Sequence, residues 1–592
     1  MAQAETQGGS KATSITETTF EDPKKEEVET TEATEQVDMD SQPTALKEQT
    51  TATEKEAQAN LDAEEDMQYP HGLKLVVILA ALCLAVFLVA LDQTIIATAI
   101  PKITDHFNSI KDIGWYGSAY FLTATALQPT FGRIYTIFNI KLVFISAIVL
   151  FELGSLVCAT APSSVALIVG RAIAGMGTGG LFSGAIVIMA YCLPLRNRPA
   201  AFGLIGGMWG IASVAGPLLG GVDRISWRWC FYINLPIGAL SILVIVLFLH
   251  ITRENNPEGL TIPQRILKLD LIGASILVPA VVCLLLALQW GGSTYAWNSS
   301  KIIGLFVGFA ILALIFIASQ LKLGDKGTLP PRLFRNRNVC LALAFSFVFG
   351  SGFFTLIFYL AIYFQSVKGS TATHAGIQLL PLLISTVLSS MLTGGLITVI
   401  GSYVPVMLFC MVLFAVGGGL ITTFSLTTPL SAWFGYQVLA GLGIGVGFQS
   451  GVLVVQTVLP LSDVPVATAC VSFFQTLGGA LFISVAQTLF QNALLSGIQK
   501  NAPQLPAQLF LHSGATQIRE ILAKLHQEDA LEAVLQAYVD GLTHCYWITT
   551  ACAIAAFFFV CGLEWKSVKK GHGQDKKEGD AEAVKEPVTA FA

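Results

Sequence analysis

Three ionisable residues stand inside long apolar stretches of this sequence. Asp92 lies in LDQTIIATAIP (91–101), past the midpoint of an apolar run over about 74–100. Arg171 opens RAIAGMGTGG (171–180), and Glu152 sits in FELGSLVCA (151–159). Charge at that depth in hydrocarbon is costly, so each must face a cavity, find a partner or, for a carboxylate, take up a proton. Asp92 therefore reads as a proton-carrying acid, or as a helix-packing carboxylate bound to hydroxyls such as Thr94. An arginine beside an acid changes that acid's proton affinity as the two separate. Arg171 can play that part, or bond helix-end carbonyls. Glu152 is a second proton site or, the reading we favour, an interhelical hydrogen-bonder.

Other chemistry is missing. The run GMGTGG (175–180) has the spacing of a dinucleotide loop, but it sits inside an apolar helix and follows no soluble strand. No GxxxxGK[ST] loop is present, so an ion gradient is the expected energy source. The 11 cysteines are scattered singly without metal-ligand spacing and read as small buried hydrophobes. We expect no catalytic residues, metal or cofactor, no nucleic-acid partner and no obligate protein partner. A small-molecule substrate, protons and the lipid bilayer are the expected partners.

The elements that must position these residues are spanning helices. Of the 592 residues, 53% are hydrophobic and 12% charged, and the mean hydropathy of +0.66 is well above that of a soluble chain. Residues 1–69 hold 18 acidic and 5 basic side chains, so the net −5 of the whole becomes +8 for the remainder. Such a tail, poor in aromatic residues, is expected to be disordered and cytosolic.

Windows of about 20 apolar residues fall near 74–100, 113–132, 142–161, 165–192, 200–222, 229–251, 269–290 and 302–321. Six more fall near 339–365, 375–398, 404–424, 433–457, 466–490 and 544–563, giving fourteen in all. With the amino terminus inside, twelve basic residues of short connections from Arg133 to Arg337 are cytosolic. Six are outside: Lys102, Lys111, Arg224, Arg228, Lys301 and Lys368. Both termini are then cytosolic, and the one glycosylation sequon, at Asn298, faces outward. The connection 491–543 is the only long one. It holds IREILAKLHQEDALEAVLQAYV (518–539), which predicts an external amphipathic helix.

The chain repeats itself. RAIAGMGTG from Arg171 and QVLAGLGIG from Gln437 share their small-residue spacing at an offset of 266 residues, in the fourth and twelfth spans. Two parallel six-helix halves with two helices inserted between them account for that offset, and such halves describe major facilitator transporters. In the fifth span, Gly216, Pro217, Gly220 and Gly221 of GPLLGG combine close packing with a kink.

Together LDQTIIATAIP, GRAIAGMGTGG, GPLLGG, WRWCFYINLPIG (227–238) and FQSVKGSTATHAGIQLLP (364–381) resemble the fourteen-spanner drug:proton antiporter family over about 70–565. The nearest likeness is to filamentous-fungal pumps for mycotoxins, other secondary metabolites and fungicides. The resemblance implies that Asp92 and Arg171 take part in proton coupling, that the Gly-Pro helix helps set antiport, and that the protein lies in the plasma membrane rather than the vacuolar one. One motif departs from the family pattern. GRIYTIFNIK (132–141) keeps Gly132, Arg133 and Lys141 but has Thr136 where an Asp is expected, so a gate built on that Asp is in question.

The expected fold is thus an all-α polytopic membrane protein of the major facilitator type. Its parts are an acidic tail (1–69), an N-terminal six-helix half (70–251), two inserted helices with a cytosolic linker (252–338), a C-terminal half (339–565) and a cytosolic tail (566–592). The expected function is proton-coupled efflux of small, largely apolar organic compounds by alternating access. A siderophore or basic amino-acid carrier is the alternative, ahead of a non-transporting sensor.

Overall fold

In lipid every backbone polar group must be satisfied within the chain, so apolar 20-residue stretches become helices. The computed structural model describes residues 69–107, 112–220, 226–251, 259, 261–292, 294–507, 510 and 518–568. The acidic stretch up to residue 68, Gly221 and the tail from 569 lie outside them. The first half consists of α1 (Leu73–Phe107), α2 (Ile113–Ile137), α3 (Ile140–Thr160), α4 (Ser164–Cys192), α5 (Arg198–Gly220) and α6 (Trp229–Phe248, broken at Ile233). The inserted pair is α7 (Leu271–Trp290) and α8 (Ser300–Leu323). The second half consists of α9 (Arg337–Ser366), α10 (Leu380–Ile400), α11 (Val404–Ile421), α12 (Leu430–Val458, broken at Gly445), α13 (Val464–Asn501) and α14 (Leu531–Cys561).

Among the described residues, 12 helices are long and apolar enough to cross a bilayer. Two further helices, α2 and α5, have 25 and 23 residues. α2 packs on α13 and α5 on α10, so these two helices take part in the seams between the halves.

The two halves share one packing scheme. In each, the fourth helix packs on the second and third, the first on the fifth and sixth, and the third on the sixth. The repeat glycines set these approaches. A Cβ at Gly177 of α4 would overlap the Phe151 backbone N of α3 and lie 2.7 Å from Ala147 O. At Gly443, 266 residues on, it would overlap Phe414 N of α11 and lie 2.5 Å from Cys410 O.

The inserted pair docks on one seam. Leu277 and Val281 of α7 join Ala126 of α2 and Phe473 of α13 in one cluster, and Ser484 of α13 donates to Leu288 O at 3.0 Å. Only 11% of the apolar window of α8 is buried, which leaves it facing lipid. Asp270 caps α7 through Gly273 N (2.6 Å) and accepts from Gln320 Nε2 (2.7 Å) and from Thr328 N and Oγ1 (3.0 and 3.1 Å), tying together the two ends of the hairpin.

One boundary differs from expectation. The connection expected over 491–543 spans only 502–530, because α13 continues to Asn501 and α14 begins at Leu531. Ile518–Lys524 is helical as expected, but Leu531–Val539 belongs to the last spanning helix. The overshooting ends hold each other: the rings of Phe490 and Tyr538 lie 5.6 Å apart, and Tyr538 Oη donates to Phe510 O at 3.3 Å.

Candidate functional site

Asp92 and Arg171 come from helices 79 residues apart in sequence and meet in the interior of the first half. Arg171 Nη1 donates to Asp92 Oδ2 at 2.5 Å, and the two side chains are 1% and 0% exposed. Asn234 of α6 donates to Asp92 Oδ1 (3.4 Å) and to Ser155 Oγ of α3 (3.1 Å). Arg171 Nε also donates to the Tyr116 carbonyl of α2 at 2.8 Å, so that arginine meets both an acid and a backbone carbonyl. Its guanidinium also lies over the Tyr120 ring, 4.3 Å from the centroid. The Tyr120 hydroxyl in turn accepts from Thr178 Oγ1 at 2.7 Å. A buried ion pair is stable only when further hydrogen bonds satisfy both members; α2 and α6 contribute them here, and Ser155 of α3 holds the α6 asparagine.

Two sequence readings need correction. Thr94 does not hold Asp92: its hydroxyl donates to Ala90 O, Leu91 O and, across to α5, Ala212 O at 3.0 Å. A threonine hydroxyl inside a helix bonds the carbonyl one turn back, so it is not left over for the carboxylate. Glu152 is not a satisfied interhelical hydrogen-bonder. Neither of its oxygens has a hydrogen-bond partner, and its carboxylate rests against Gly238 of α6, where a Cβ would overlap it. It lies outside the Asp92–Arg171 hydrogen-bond network.

The small-residue motif serves close approach. A Cβ at Gly216 would overlap Thr94 Oγ1, so this glycine brings α5 against α1 two residues from Asp92. Pro217 and Gly220 lie in the last turn of α5. At the opposite end of the bundle, a Cβ at Gly132 would stand 2.6 Å from Ala469 Cβ and 3.1 Å from Pro465 O of α13. Arg133 Nη2 donates to Lys326 O (3.3 Å), and Lys141 Nζ caps α6 at Val246 O and Leu249 O (2.8 and 2.9 Å). Thr136 bonds Gly132 O at 3.0 Å. Arg332 pairs with Asp463 at 2.7 Å, and the buried Arg198 reaches Gln456 Oε1 of α12 at 3.5 Å. Asn298 is exposed in the turn directly before α8.

An open cavity lies between the halves. Phe121, Phe182, Trp209, Phe354 and Phe448 supply its rings, and Trp209 of α5 stacks on Phe448 of α12 at 6.3 Å. Gln93, Gln128, Thr178, Ser472, Gln475 and Thr476 supply its polar groups, and no lining residue is ionisable. Thr178 joins the cavity wall to Tyr120 and hence to the ion pair. Sequence reasoning did not single out Asn234, Tyr120 or the cavity glutamines. Asn234, a polar residue within WRWCFYINLPIG, carried a signal; the glutamines come from separate helices and carried none.

The Major Facilitator Superfamily profile matches residues 82–483. An "MFS-type efflux pump MFS1" of Trichophyton rubrum is 50% identical over 507 residues, 85% of this chain and 94% of the relative. "Efflux pump roqT" of Penicillium rubens is 47% identical over 494 residues, 83% and 90% of the two chains. "MFS-type transporter astH" of Aspergillus oryzae is 44% identical over 522 residues, 88% and 92%. Among solved structures, the human organic anion transporter MFSD10 superposes with a TM-score of 0.53 at 15% identity, covering 83% of this chain and 100% of its own. The proton:xylose symporter XylE gives 0.53 at 13%, covering 84% and 98%. At those identities the structures show the fold alone, and with the profile match and the relatives they establish that this multi-pass membrane protein belongs to the major facilitator superfamily.

Proposed function

We propose that the chain is a proton-coupled exporter of small, largely apolar organic compounds. It works by alternating access in the plasma membrane, with fourteen spans and both termini cytosolic. The names of the relatives support efflux, and the lining of the cavity supports an apolar cargo. A basic amino-acid carrier needs a carboxylate in that cavity, and no lining residue is one.

The observation that carries the coupling is the continuous path from Asp92 through Arg171 and Tyr120 to Thr178 on the cavity wall. A proton arriving from outside neutralises Asp92 and leaves the Arg171 charge without its partner. Removing one member of a buried pair costs about 3–5 kcal/mol, enough to shift a two-state equilibrium by on the order of a hundredfold or more. The guanidinium then presses on the Tyr120 ring, and the change reaches the cavity through the Thr178 hydroxyl. Contacts between the halves at Gly132 and Arg198, and the linker contact of Arg332 with Asp463, lie at the end that this topology puts in the cytosol. They represent the state closed to the cytosol, ready to exchange cargo for a proton.

The test is Asp92→Asn, which keeps shape while removing the titratable charge. In inside-acidic inverted vesicles the variant should insert normally and equilibrate a neutral aromatic fluorophore, yet fail to concentrate it. Wild type treated with a protonophore should fall to the same level. Each pH unit stores about 1.4 kcal/mol per proton, tenfold in accumulation for one-to-one exchange. Full, protonophore-sensitive uphill export by the variant would place the coupling elsewhere, with Glu152 the next candidate.

A further inference from the structure

The cavity between the halves holds polar groups that no protein group satisfies. Gln128 Oε1, Ser472 Oγ, Gln475 Nε2 and Trp209 Nε1 are buried and without a hydrogen-bond partner, and all four residues line the same space. Gln128, Ser472 and Gln475 are 6%, 3% and 7% exposed. Buried polar groups in folded proteins are normally paired, and four orphans around one cavity mark the atoms that a bound molecule would satisfy. The remaining wall is aromatic. It is also built from the repeat: Phe182 and Phe448, on opposite sides of the cavity, are 266 residues apart, and so are Trp209 and Gln475. Rings therefore come from both halves, while the unpartnered amides come from α2 and α13 at one seam.

We propose that Gln128 and Gln475 are the specificity-determining residues of this cavity. Its cargo is an uncharged, flat, conjugated molecule carrying a hydrogen-bond acceptor beside a donor, such as a phenol next to a carbonyl, a lactam or a secondary amide. The proposal rests on the cavity being the cargo site. An amide side chain presents both a donor and an acceptor, so two glutamines read such an edge, and rings on either side take the flat faces. A permanent cation gains about 0.5–2 kcal/mol from an aromatic wall, against a desolvation penalty of several kcal/mol, and no lining carboxylate makes up the difference.

The test uses the full-length protein in nanodiscs without a proton gradient, and equilibrium binding of three flat probes. Dihydroxyanthraquinone has rings with adjacent donor and acceptor, anthracene has rings alone, and ethidium has rings with a fixed charge. Wild type should bind dihydroxyanthraquinone most tightly and ethidium least. Gln128→Met and Gln475→Met should each weaken dihydroxyanthraquinone about tenfold, the value of one lost hydrogen bond, and leave anthracene unchanged. Gln475→Glu should bind ethidium at least about tenfold more tightly than wild type, a gain that misfolding cannot produce. Ethidium binding to wild type as tightly as dihydroxyanthraquinone overturns the proposal. So does unaltered discrimination in both methionine variants, which would mean that the glutamines hold water only. Because binding is read without a gradient, these outcomes are independent of whether Asp92→Asn abolishes uphill export.

Discussion

Arg171 and Gln437 stand at the same point of the two halves, 266 residues apart, and only one of them is charged. Each reaches from the fourth helix of its half to a carbonyl of the segment that forms or leads into the second: Arg171 to Tyr116 O, and Gln437 Nε2 to Gln378 O at 3.1 Å. The first half adds Asp92 on α1. The corresponding helix of the second half, α9, has no acidic residue and no basic residue after Arg337. The packing is duplicated and the charge is not. Glycines can repeat freely because close approach is needed in both halves, whereas a buried ion pair is costly in hydrocarbon and persists where a function requires it. The proposed proton coupling therefore resides in one half, with the other as its neutral counterweight.

The harshest way to break this comparison is to make the first half resemble the second. Arg171→Gln leaves Asp92 without its cation and should cost about 3–5 kcal/mol, read as a collapse in folded yield and thermal stability in detergent. The Asp92→Asn/Arg171→Gln double variant should regain most of that stability while remaining unable to export uphill. A double variant no more stable than the single one would mean that the two side chains are not an energetic unit.

The packing side of the comparison predicts equality. Gly177→Ala and Gly443→Ala each drive a methyl into the neighbouring helix backbone and should destabilise by about 1–3 kcal/mol, within about 1 kcal/mol of each other by thermal melting. A large loss in one half only would show that the repeat has diverged in packing as well as in charge. Gln437→Leu should be milder. It gives up the hydrogen bonds to Gln378 O and Trp433 O, costs about 1 kcal/mol, and leaves the ratio of accumulated cargo to imposed pH gradient unchanged.

The smallest effect belongs to the inserted hairpin, which is part of neither half. Burial pushes the Asp270 carboxyl up, but hydrogen bonds from Gln320, Thr328 and Gly273 outweigh it and hold its pKa below the ordinary carboxylate value. A lowered folded-state pKa contributes stability that is present above the unfolded value and disappears as pH falls through the folded one. Melting temperature should therefore decline on acidification below about pH 4, and Asp270→Asn should flatten that decline. An identical slope in the variant would assign the acid sensitivity to other groups.

Much of the fold was legible because lipid leaves the backbone so little choice: a 20-residue apolar run must be a helix. The repeat was legible for a related reason, since the glycines of RAIAGMGTG and QVLAGLGIG sit where neighbouring helices touch. Asp92 and Arg171 stood out singly because charge in an apolar run has few cheap explanations. Their pairing had no local signature, for it depends on which faces of α1 and α4 turn toward each other. The missed helical start at 531–539 has the opposite cause. LEAVLQAYV is too polar to read as a span, and its helix is held by contact with α13 beyond the apolar region.

The sequence by itself determined that the chain is a helical membrane protein, where most of its apolar helices fall, that a stretch of it repeats, and which ionisable residues lie within apolar runs. Each of these follows from periodicity, composition or spacing, which are local properties of the chain. Only the tertiary structure decided that Arg171 faces Asp92 while Glu152 faces nothing that donates to it, that Thr94 serves a carbonyl of α5, and that Gln128 and Gln475 open into one cavity. Hydrogen bonds form within about 3 Å. Whether two side chains from helices tens or hundreds of residues apart come that close depends on helix rotation and crossing, which the packing of all the helices sets together.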